Sequence, residues 1–164
     1  MELIIVSDSH GLTEELTMIK ERHVNVSTFI HCGDSELDTT SPYLSGYKVV
    51  RGNCDYDQTL PLELLIEKEQ ERILVTHGHL NGVKTSLMGI TYRAEESNAT
   101  ICCFGHSHLL GIEKIGQTLF INPGSIRIPR GRKEKTYIHL QKVEETYNIT
   151  IYTLEGSIYQ QITL

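Results

Sequence analysis

The sequence has no long run of apolar residues. The N-terminal stretch LIIV, at residues 3–6, is shorter than the roughly 7 to 15 residues of a signal-peptide core. No other run approaches the roughly 20 apolar residues that span a bilayer. These absences argue against a membrane partner and against export, so we expect a cytoplasmic location.

Cysteine motifs and an excess of basic residues are also missing. The four cysteines form no CxxC pair, so they support neither a disulfide framework nor a structural zinc knuckle. Fifteen Lys and Arg against 21 Asp and Glu give a net charge of -6, which argues against a broad basic face for nucleic-acid phosphates. We therefore expect no stable nucleic-acid complex, and the sequence predicts no particular oligomeric state.

Six short β-branched runs each lead into a polar cluster. The runs cover residues 3–6, 28–32, 48–50, 72–75, 100–104 and 118–121. Each cluster carries His, Asp or Asn, and in five of the six, all but residues 122–125, these side chains are of metal-ligand type. Because open α/β sheets bind ligands at the carboxyl ends of their strands, these five loops can assemble one site.

The pattern between the runs predicts an α/β architecture. Leu12, Leu16 and Ile19 have helical spacing within a predicted helix over 12–23, and a second helix is predicted over 83–98. This alternation favours parallel pairing early in the chain. After residue 110, period-two patterns separated by turns predict antiparallel strands, so the sheets should be mixed. The length, without a linker, predicts a single domain over 1–164.

The polar clusters contain a candidate ligand set for divalent ions. In an extended segment, residues two apart point to the same side, as Asp8 and His10 would. Asp, His and Asn together suit Mn, Fe, Co, Ni or Zn. The candidate ligands are Asp8, His10, Asp34, Asn53, His77, His106 and His108.

Seven candidate ligands fit two ions sharing a carboxylate better than one tetrahedral ion. A pair of ions about 3.5 to 4 Å apart can deprotonate a bridging water near neutral pH and clamp both oxygens of a phosphoryl transfer. The charge of two such ions would exceed that of two carboxylates and attract phosphate to an acidic protein. We therefore expect a small phosphate-ester substrate.

Five motifs occur in one order along the chain: DSH (8–10), GD (33–34), GNCD (52–55), HGH (77–79) and GHSH (105–108). In that order they resemble the signature of the calcineurin-like metallophosphoesterase superfamily. The small size, Cys54 and NPGS (122–125) are most similar to the YfcE-like phosphodiesterase branch. The resemblance implies two mixed β-sheets packed as a sandwich flanked by helices. It also implies a metal-dependent phosphodiesterase that uses attack by a metal-bound hydroxide, with manganese as the first candidate metal and nickel, zinc, iron or cobalt as alternatives.

The resemblance further implies a role for each site residue. One ion would be held by Asp8, His10 and His108, and the other by Asn53, His77 and His106, with Asp34 bridging. Asp34, Asn53, Cys54 and His79 form the expected catalytic set. Most members have His after the ligand Asn, where it is thought to protonate the leaving group. A thiol donates weakly, so Cys54 should assist only weakly, with Asp55 or His79 as possible substitutes.

Other interpretations compete with this one. A serine hydrolase lacks support because no GxSxG elbow is present. The alternative from another class is a non-catalytic interaction scaffold, like the retromer subunits that resemble this fold but have lost ligands. Here every ligand position carries a competent side chain. Residues 127–135 (RIPRGRKEK) and NPGS are interpreted as a solvated loop and a structural turn, and strand alternation could turn Arg51 away from the site.

Overall fold

The computed structural model describes residues 1–164 as eleven strands, two α-helices and two short 3-10 turns. The α-helices are α1 (Glu14–Arg22) and α2 (Met88–Glu96). The strands are β1 (Glu2–Val6), β2 (Phe29–His31), β3 (Tyr47–Val49), β4 (Glu63–Lys68), β5 (Glu71–Thr76), β6 (Ile101–Cys103), β7 (Leu110–Ile115), β8 (Thr118–Pro123), β9 (Thr136–Val143), β10 (Thr146–Thr153) and β11 (Ile158–Thr163).

The strands form two mixed sheets, as predicted. The six-stranded sheet has the order β11-β10-β9-β1-β2-β3, and the five-stranded sheet has the order β4-β5-β6-β8-β7. Parallel pairs join β1 to β2 and β2 to β3 in the first sheet, and β5 to β6 and β6 to β8 in the second. The remaining pairs are antiparallel.

A shared apolar core holds the two sheets together as a sandwich. Ile5 and Ile30 of the six-stranded sheet belong to the same buried cluster as Val75, Ile101 and Ile121 of the five-stranded sheet. The outer face of the first sheet packs on α1, and that of the second packs on α2. Both faces of the central strands are therefore buried, which explains their continuous apolar runs.

The parallel strands of both sheets end at the polar clusters. The loops after β1, β2 and β3 carry Asp8, Asp34 and Asn53, while those after β5 and β6 carry His77 and His106. Five loops from two sheets thus converge at one edge of the sandwich, as the sequence predicts.

The helices are shorter than predicted. The helix expected over 12–23 spans Glu14–Arg22, and the one expected over 83–98 begins only at Met88. The preceding segment forms a 3-10 turn over His79–Asn81, closed by Gly82 with a φ of 67°. A left-handed glycine interrupts helical geometry, so the apolar residues there do not extend α2. Neither helix is long and apolar enough to cross a membrane.

Candidate metal centre

Asp8, His10 and His108 bring three potential ligand atoms together. His108 Nε2 lies 3.1 Å from Asp8 Oδ1, and His10 Nε2 lies 3.9 Å from the same oxygen. The two Nε2 atoms are 3.4 Å apart. Asp8 Oδ1 is buried and has no hydrogen-bond partner, whereas Oδ2 accepts hydrogen bonds from Ser7 Oγ and the His106 backbone N–H. A buried acceptor without a donor is costly unless a cation satisfies it.

The opposite nitrogen of each imidazole in this group is already engaged. His108 Nδ1 donates to the carbonyl oxygen of Ile128 at 2.7 Å, and His10 Nδ1 donates to Glu36 Oε1 at 2.6 Å. Because a carbonyl or carboxylate only accepts, Nδ1 carries the proton and the Nε2 lone pair faces Asp8. This is the orientation found in metal-ligating histidines, whose second nitrogen usually donates to such an acceptor.

Asp34, His77 and His106 form the second group, and Asn53 joins it. His77 Nε2 lies 3.2 Å from Asp34 Oδ2 and 3.2 Å from Asn53 Oδ1. His77 Nδ1 donates to the carbonyl oxygen of Cys32 at 2.8 Å, so its Nε2 lone pair points at two other acceptors. If the imidazole is neutral, its Nε2 lone pair is repelled by the oxygens of Asp34 and Asn53. A proton or a metal ion between the nitrogen and these oxygens removes the repulsion. The ligand atoms of Asp34, His77 and His106 all lie within 4.8 Å of one another.

The ionisation of this second group favours bound positive charge. Burial alone would raise the pKa of Asp34, but hydrogen bonds from His77 and the Cys54 backbone hold it well below its usual range. Burial likewise opposes protonation of His77, yet the neighbouring Asp34 raises its pKa above the ordinary value. Burial and the nearby His77 lower the pKa of His106 to about 4, so this imidazole is neutral and free to ligate.

Left-handed turns place most of these ligands, which corrects the extended geometry expected from the sequence. Asp8, His10, Asp34, Glu36, His106 and His108 have φ values from 43° to 66°. The convergence of Asp8 with His10 is confirmed, but it arises because the chain curls after β1 ends at Val6. Such a backbone is uncommon for residues with a side chain and clusters at functional sites.

Asp55 organises the loops beneath the second group. Its Oδ2 accepts from the backbone N–H groups of Asp34 and Gly52, and its Oδ1 accepts from Ser35 Oγ and the Glu36 N–H. Four donors therefore occupy its two oxygens. This arrangement leaves Asp55 a loop-shaping role rather than one as a proton donor to a leaving group.

Glycines allow the loops to approach one another closely. A Cβ on Gly52 would overlap the Asp34 carboxylate, and a Cβ on Gly105 would overlap Ser7 Oγ and crowd Asp8. A Cβ on Gly33, directly before Asp34, would crowd His77 in the same way, so these glycines make room for neighbouring side chains of the site.

Cys54 lies between the two groups. Its backbone N–H donates to Asp34 Oδ1 at 2.8 Å, while its Sγ, His10 and Glu36 form a third cluster of potential ligand atoms within 4.8 Å. Burial and then the negative charge of Asp34 raise the pKa of the Cys54 thiol to about 11. The thiol is therefore neutral near pH 7, which agrees with its expected weak acid function.

His79 lies beside the second group without joining it. Its ring centroid is 5.4 Å from that of His77 and 6.1 Å from that of His106. Its Nδ1 is buried without a hydrogen-bond partner, and burial and then His77 lower its pKa. Arg51 lines the same cavity as Asn53 and His79, so the alternation expected to turn it away does not continue past β3.

The loop after β8 makes hydrogen bonds to the loops that carry Asp8 and His108. Ser125 Oγ donates to the carbonyl oxygen of Asp8 at 2.7 Å, and the Asn122 side chain donates to Gly105 O and Ser107 Oγ. Within residues 127–135, the Arg130 N–H donates to the carbonyl oxygen of His108. NPGS therefore shapes the floor of the site, as expected, and the basic segment is a loop fixed to His108 at two points.

Both groups fit divalent ions. Each combines a carboxylate with two imidazoles whose ligand atoms lie within 4.8 Å of it and of one another, and imidazole with carboxylate suits borderline metals. The sequence singled out every member of the two groups. It did not single out Glu36, because a glutamate two positions after Asp34 resembles any polar loop residue until the fold brings it to His10.

Comparison with known proteins agrees with this geometry. Residues 1–145 match the model of the calcineurin-like phosphoesterase superfamily domain. The probable metallophosphoesterase YsnB of Bacillus subtilis is 48% identical over 158 residues, which cover 96% of this chain and 94% of YsnB. Phosphodiesterase YfcE of Escherichia coli is 37% identical over 98 residues, or 54% of this chain and 48% of YfcE.

Solved structures show the same architecture. A predicted phosphoesterase from Streptococcus pneumoniae superposes with a TM-score of 0.93 at 33% identity, covering 99% of this chain and 97% of that one. Vps29 of Entamoeba histolytica, solved in complex with zinc, superposes with a TM-score of 0.80. Its identity is 20%, with 100% of this chain and 98% of Vps29 covered, which shows the fold alone. By its matched domain, its relatives and its sandwich fold, the chain belongs to the calcineurin-like phosphoesterase superfamily.

Proposed function

We propose that this protein is a phosphodiesterase whose two ligand groups hold two divalent metal ions. One observation carries the proposal. In each group an imidazole Nε2 lies 3.1 or 3.2 Å from a buried carboxylate oxygen, His108 from Asp8 and His77 from Asp34, while the Nδ1 atoms of His10, His77 and His108 donate elsewhere. Two sites for positive charge, supplied by loops of both sheets at one edge of the sandwich, fit a dinuclear centre.

The proposed ligand sets follow the two groups. Asp8, His10 and His108 hold one ion; Asn53, His77 and His106 hold the other; and Asp34 is shared. Manganese is the first candidate by the family resemblance, and nickel, zinc, iron and cobalt suit the same mixture of oxygen and nitrogen donors. We propose that one domain over residues 1–164 carries the whole centre.

The chain's residues prepare the reaction in three ways. When bound, two such ions lower the pKa of coordinated water and neutralise charge that develops on a transferring phosphoryl group. The Cys54 N–H donates to Asp34 Oδ1 and helps to keep this carboxylate ionised. Glu36, Cys32 and Ile128 fix the imidazole rings by accepting from Nδ1. Cys54 presents a neutral, weakly donating thiol beside the shared carboxylate.

The weak donor at position 54 determines which esters should react well. A leaving group that receives little proton assistance must carry its own negative charge, so esters of acidic alcohols are favoured. We therefore expect aryl phosphodiesters to be hydrolysed faster than alkyl monoesters. No activated serine or cysteine nucleophile is invoked, so the displacement should be single and should invert the configuration at phosphorus.

A metal-by-substrate matrix tests the proposal. Metal-depleted protein is reconstituted with manganese, nickel, zinc, iron or cobalt and assayed on bis(p-nitrophenyl) phosphate, p-nitrophenyl phosphate and a cyclic nucleotide. Two equivalents of bound metal and diesterase activity are expected. His106→Gln should lose activity and bind less metal. His139→Gln, on β9, is the matched control and should change neither. Protein that binds no metal and stays inactive with added manganese would refute the proposal that the protein is an enzyme. Net retention of configuration at phosphorus would refute the single displacement.

A non-catalytic scaffold is the alternative function, because the fold is shared with Vps29. The complete ligand set argues against it. The same matrix distinguishes the two, since a scaffold does not need metal-dependent turnover.

A further inference from the structure

A cavity of about 530 Å³ opens beside the second ligand group. Asn53 and His79 line it together with Arg51, Tyr56, Leu80 and neighbouring loop residues. Its volume is within the roughly 300 to 1,000 Å³ of small-molecule sites. None of Arg51, Tyr56 and Leu80 takes part in the two groups of ligands, so the cavity requires a separate explanation.

Arg51 supplies an uncommitted positive charge to this cavity. The residue is half-buried, and its guanidinium makes one hydrogen bond, from NH1 to the carbonyl oxygen of Gln58 at 3.4 Å. No carboxylate lies within ion-pair distance of it. A guanidinium has five N–H donors, so most of them remain available to acceptor atoms of a ligand.

Tyr56 and Leu80 supply apolar surface on the same cavity. Their exposed fractions are 86% and 70%, and they come from different loops, one after β3 and one in the turn after β5. The Tyr56 hydroxyl makes no hydrogen bond, so the ring is not held in place for a structural purpose. Nucleobases stack on exposed aromatic rings, and an arginine that lines the same cavity can add a further contact.

We propose that this cavity is a subsite for the nucleoside group of a phosphodiester substrate. The base stacks on Tyr56 against Leu80, and Arg51 donates to acceptor atoms of the base or sugar. Asn53 and His79 stand between this group and the phosphate. The proposal rests on the proposed function because it names the substrate class of the same centre.

Two esters with one leaving group test the subsite. The substrates are the p-nitrophenyl ester of thymidine 5′-phosphate and methyl p-nitrophenyl phosphate, which differ only in the group retained on phosphorus. Tyr56→Ala should lower kcat/KM for the thymidine ester about 5- to 150-fold, the range for loss of one stacked base, and leave the methyl ester unchanged. Tyr56→Phe should retain the wild-type kcat/KM for the thymidine ester. Arg51→Gln should lower kcat/KM for the thymidine ester but not for the methyl ester.

The matched control is Tyr92→Ala, which removes an exposed tyrosine of α2 outside the cavity and should change neither ester. Equal kcat/KM of Tyr56→Ala and wild type on the thymidine ester would overturn the subsite. A loss of the same size on the methyl ester would overturn it too, because the effect would not depend on the nucleoside.

A second measurement separates the subsite from catalysis. Thymidine, which carries no phosphate, is mixed with protein in excess EDTA, and saturation transfer to the base protons is recorded by NMR. Transfer should be seen with wild type, Tyr56→Phe and Tyr92→Ala and be lost with Tyr56→Ala. If the wild-type protein hydrolyses neither ester, the proposed function is refuted. If saturation transfer to thymidine is equal in wild type and Tyr56→Ala, only the proposed subsite is refuted.

Discussion

Glu36 should strengthen metal binding without touching the metal. Its Oε1 accepts the Nδ1 proton of His10 at 2.6 Å, which fixes the ring and increases the electron density on Nε2. Glu36→Gln keeps the length of the side chain and its acceptor oxygen but removes the charge. The other histidine of the group donates to the Ile128 backbone, so Glu36 is the support that a substitution can remove.

The magnitude follows from the geometry of this pair. Removing a hydrogen-bond partner of a ligating histidine weakens metal binding about 10- to 100-fold, equivalent to about 1.4 to 2.8 kcal/mol. The Glu36 side chain is 34% exposed, and water screens part of its charge. We therefore expect the dissociation constant of one manganese site to rise about tenfold, with the other site nearly unchanged.

Calorimetric titration of metal-depleted protein with manganese measures both constants. Glu14→Gln is the matched control, since Glu14 is exposed in the first turn of α1 and has no ion pair there. Thermal unfolding in EDTA verifies that both variants are folded. Equal manganese constants for the two variants would refute the role of Glu36, and equal weakening at both sites would contradict its assignment to His10.

Three further outcomes follow from the same contacts. Asp34→Asn should abolish hydrolysis and weaken binding of both ions, because the proposed centre shares this carboxylate; near-normal turnover would disprove the sharing. Cys54→His should accelerate esters of poorly acidic alcohols more than aryl esters, and an unchanged dependence of rate on leaving-group pKa would contradict the role of position 54. Burial opposes ionisation of Glu71, but hydrogen bonds from Lys142, Thr100 and Tyr147 outweigh it and lower its pKa. Its contribution is therefore present above its unfolded pKa and lost as pH falls through the lower folded value. The free energy of unfolding of Glu71→Gln should be about 1.5 to 3 kcal/mol below wild type at pH 7. In urea titrations the difference should shrink below about pH 4, while exposed Glu144→Gln shows none.

The sequence predicted the central strands well because their apolar runs are continuous. Residues 72–75 and 118–121 lie within β5 and β8, where both faces are buried. It did not identify β4, an edge strand in which only Leu64 and Ile66 pack against the core while Leu65 and Glu67 are exposed, or β11, which is largely exposed. It also could not show that β9 pairs with β1, since that contact joins residues more than 130 positions apart.

The candidate ligands were predictable because metal chemistry restricts them to a few residue types. The contacts that hold these ligands in place were not predictable from the sequence. Asp55 shapes the site through four hydrogen bonds, three of them from a loop 19 to 21 positions away, although its position in GNCD marked it as part of a motif. The carbonyl oxygens of Cys32 and Ile128 carry no sequence signal at all, because every residue has one.

The left-handed turns show how the sandwich sustains a centre that its loops alone would not form. Six residues at the site adopt positive φ values, and each such residue with a side chain costs about 1 to 2 kcal/mol. Local preference therefore opposes the convergence of the ligands. The edge of the sandwich offsets this strain. Its strands are buried on both faces, and Asp55 accepts hydrogen bonds from two loops. Gly52 and Gly105 leave room for Asp34 and Asp8. Bound cations would add a further force, because they turn facing lone pairs from repulsive to attractive. Metal ions should consequently stabilise the folded protein as well as enable its chemistry.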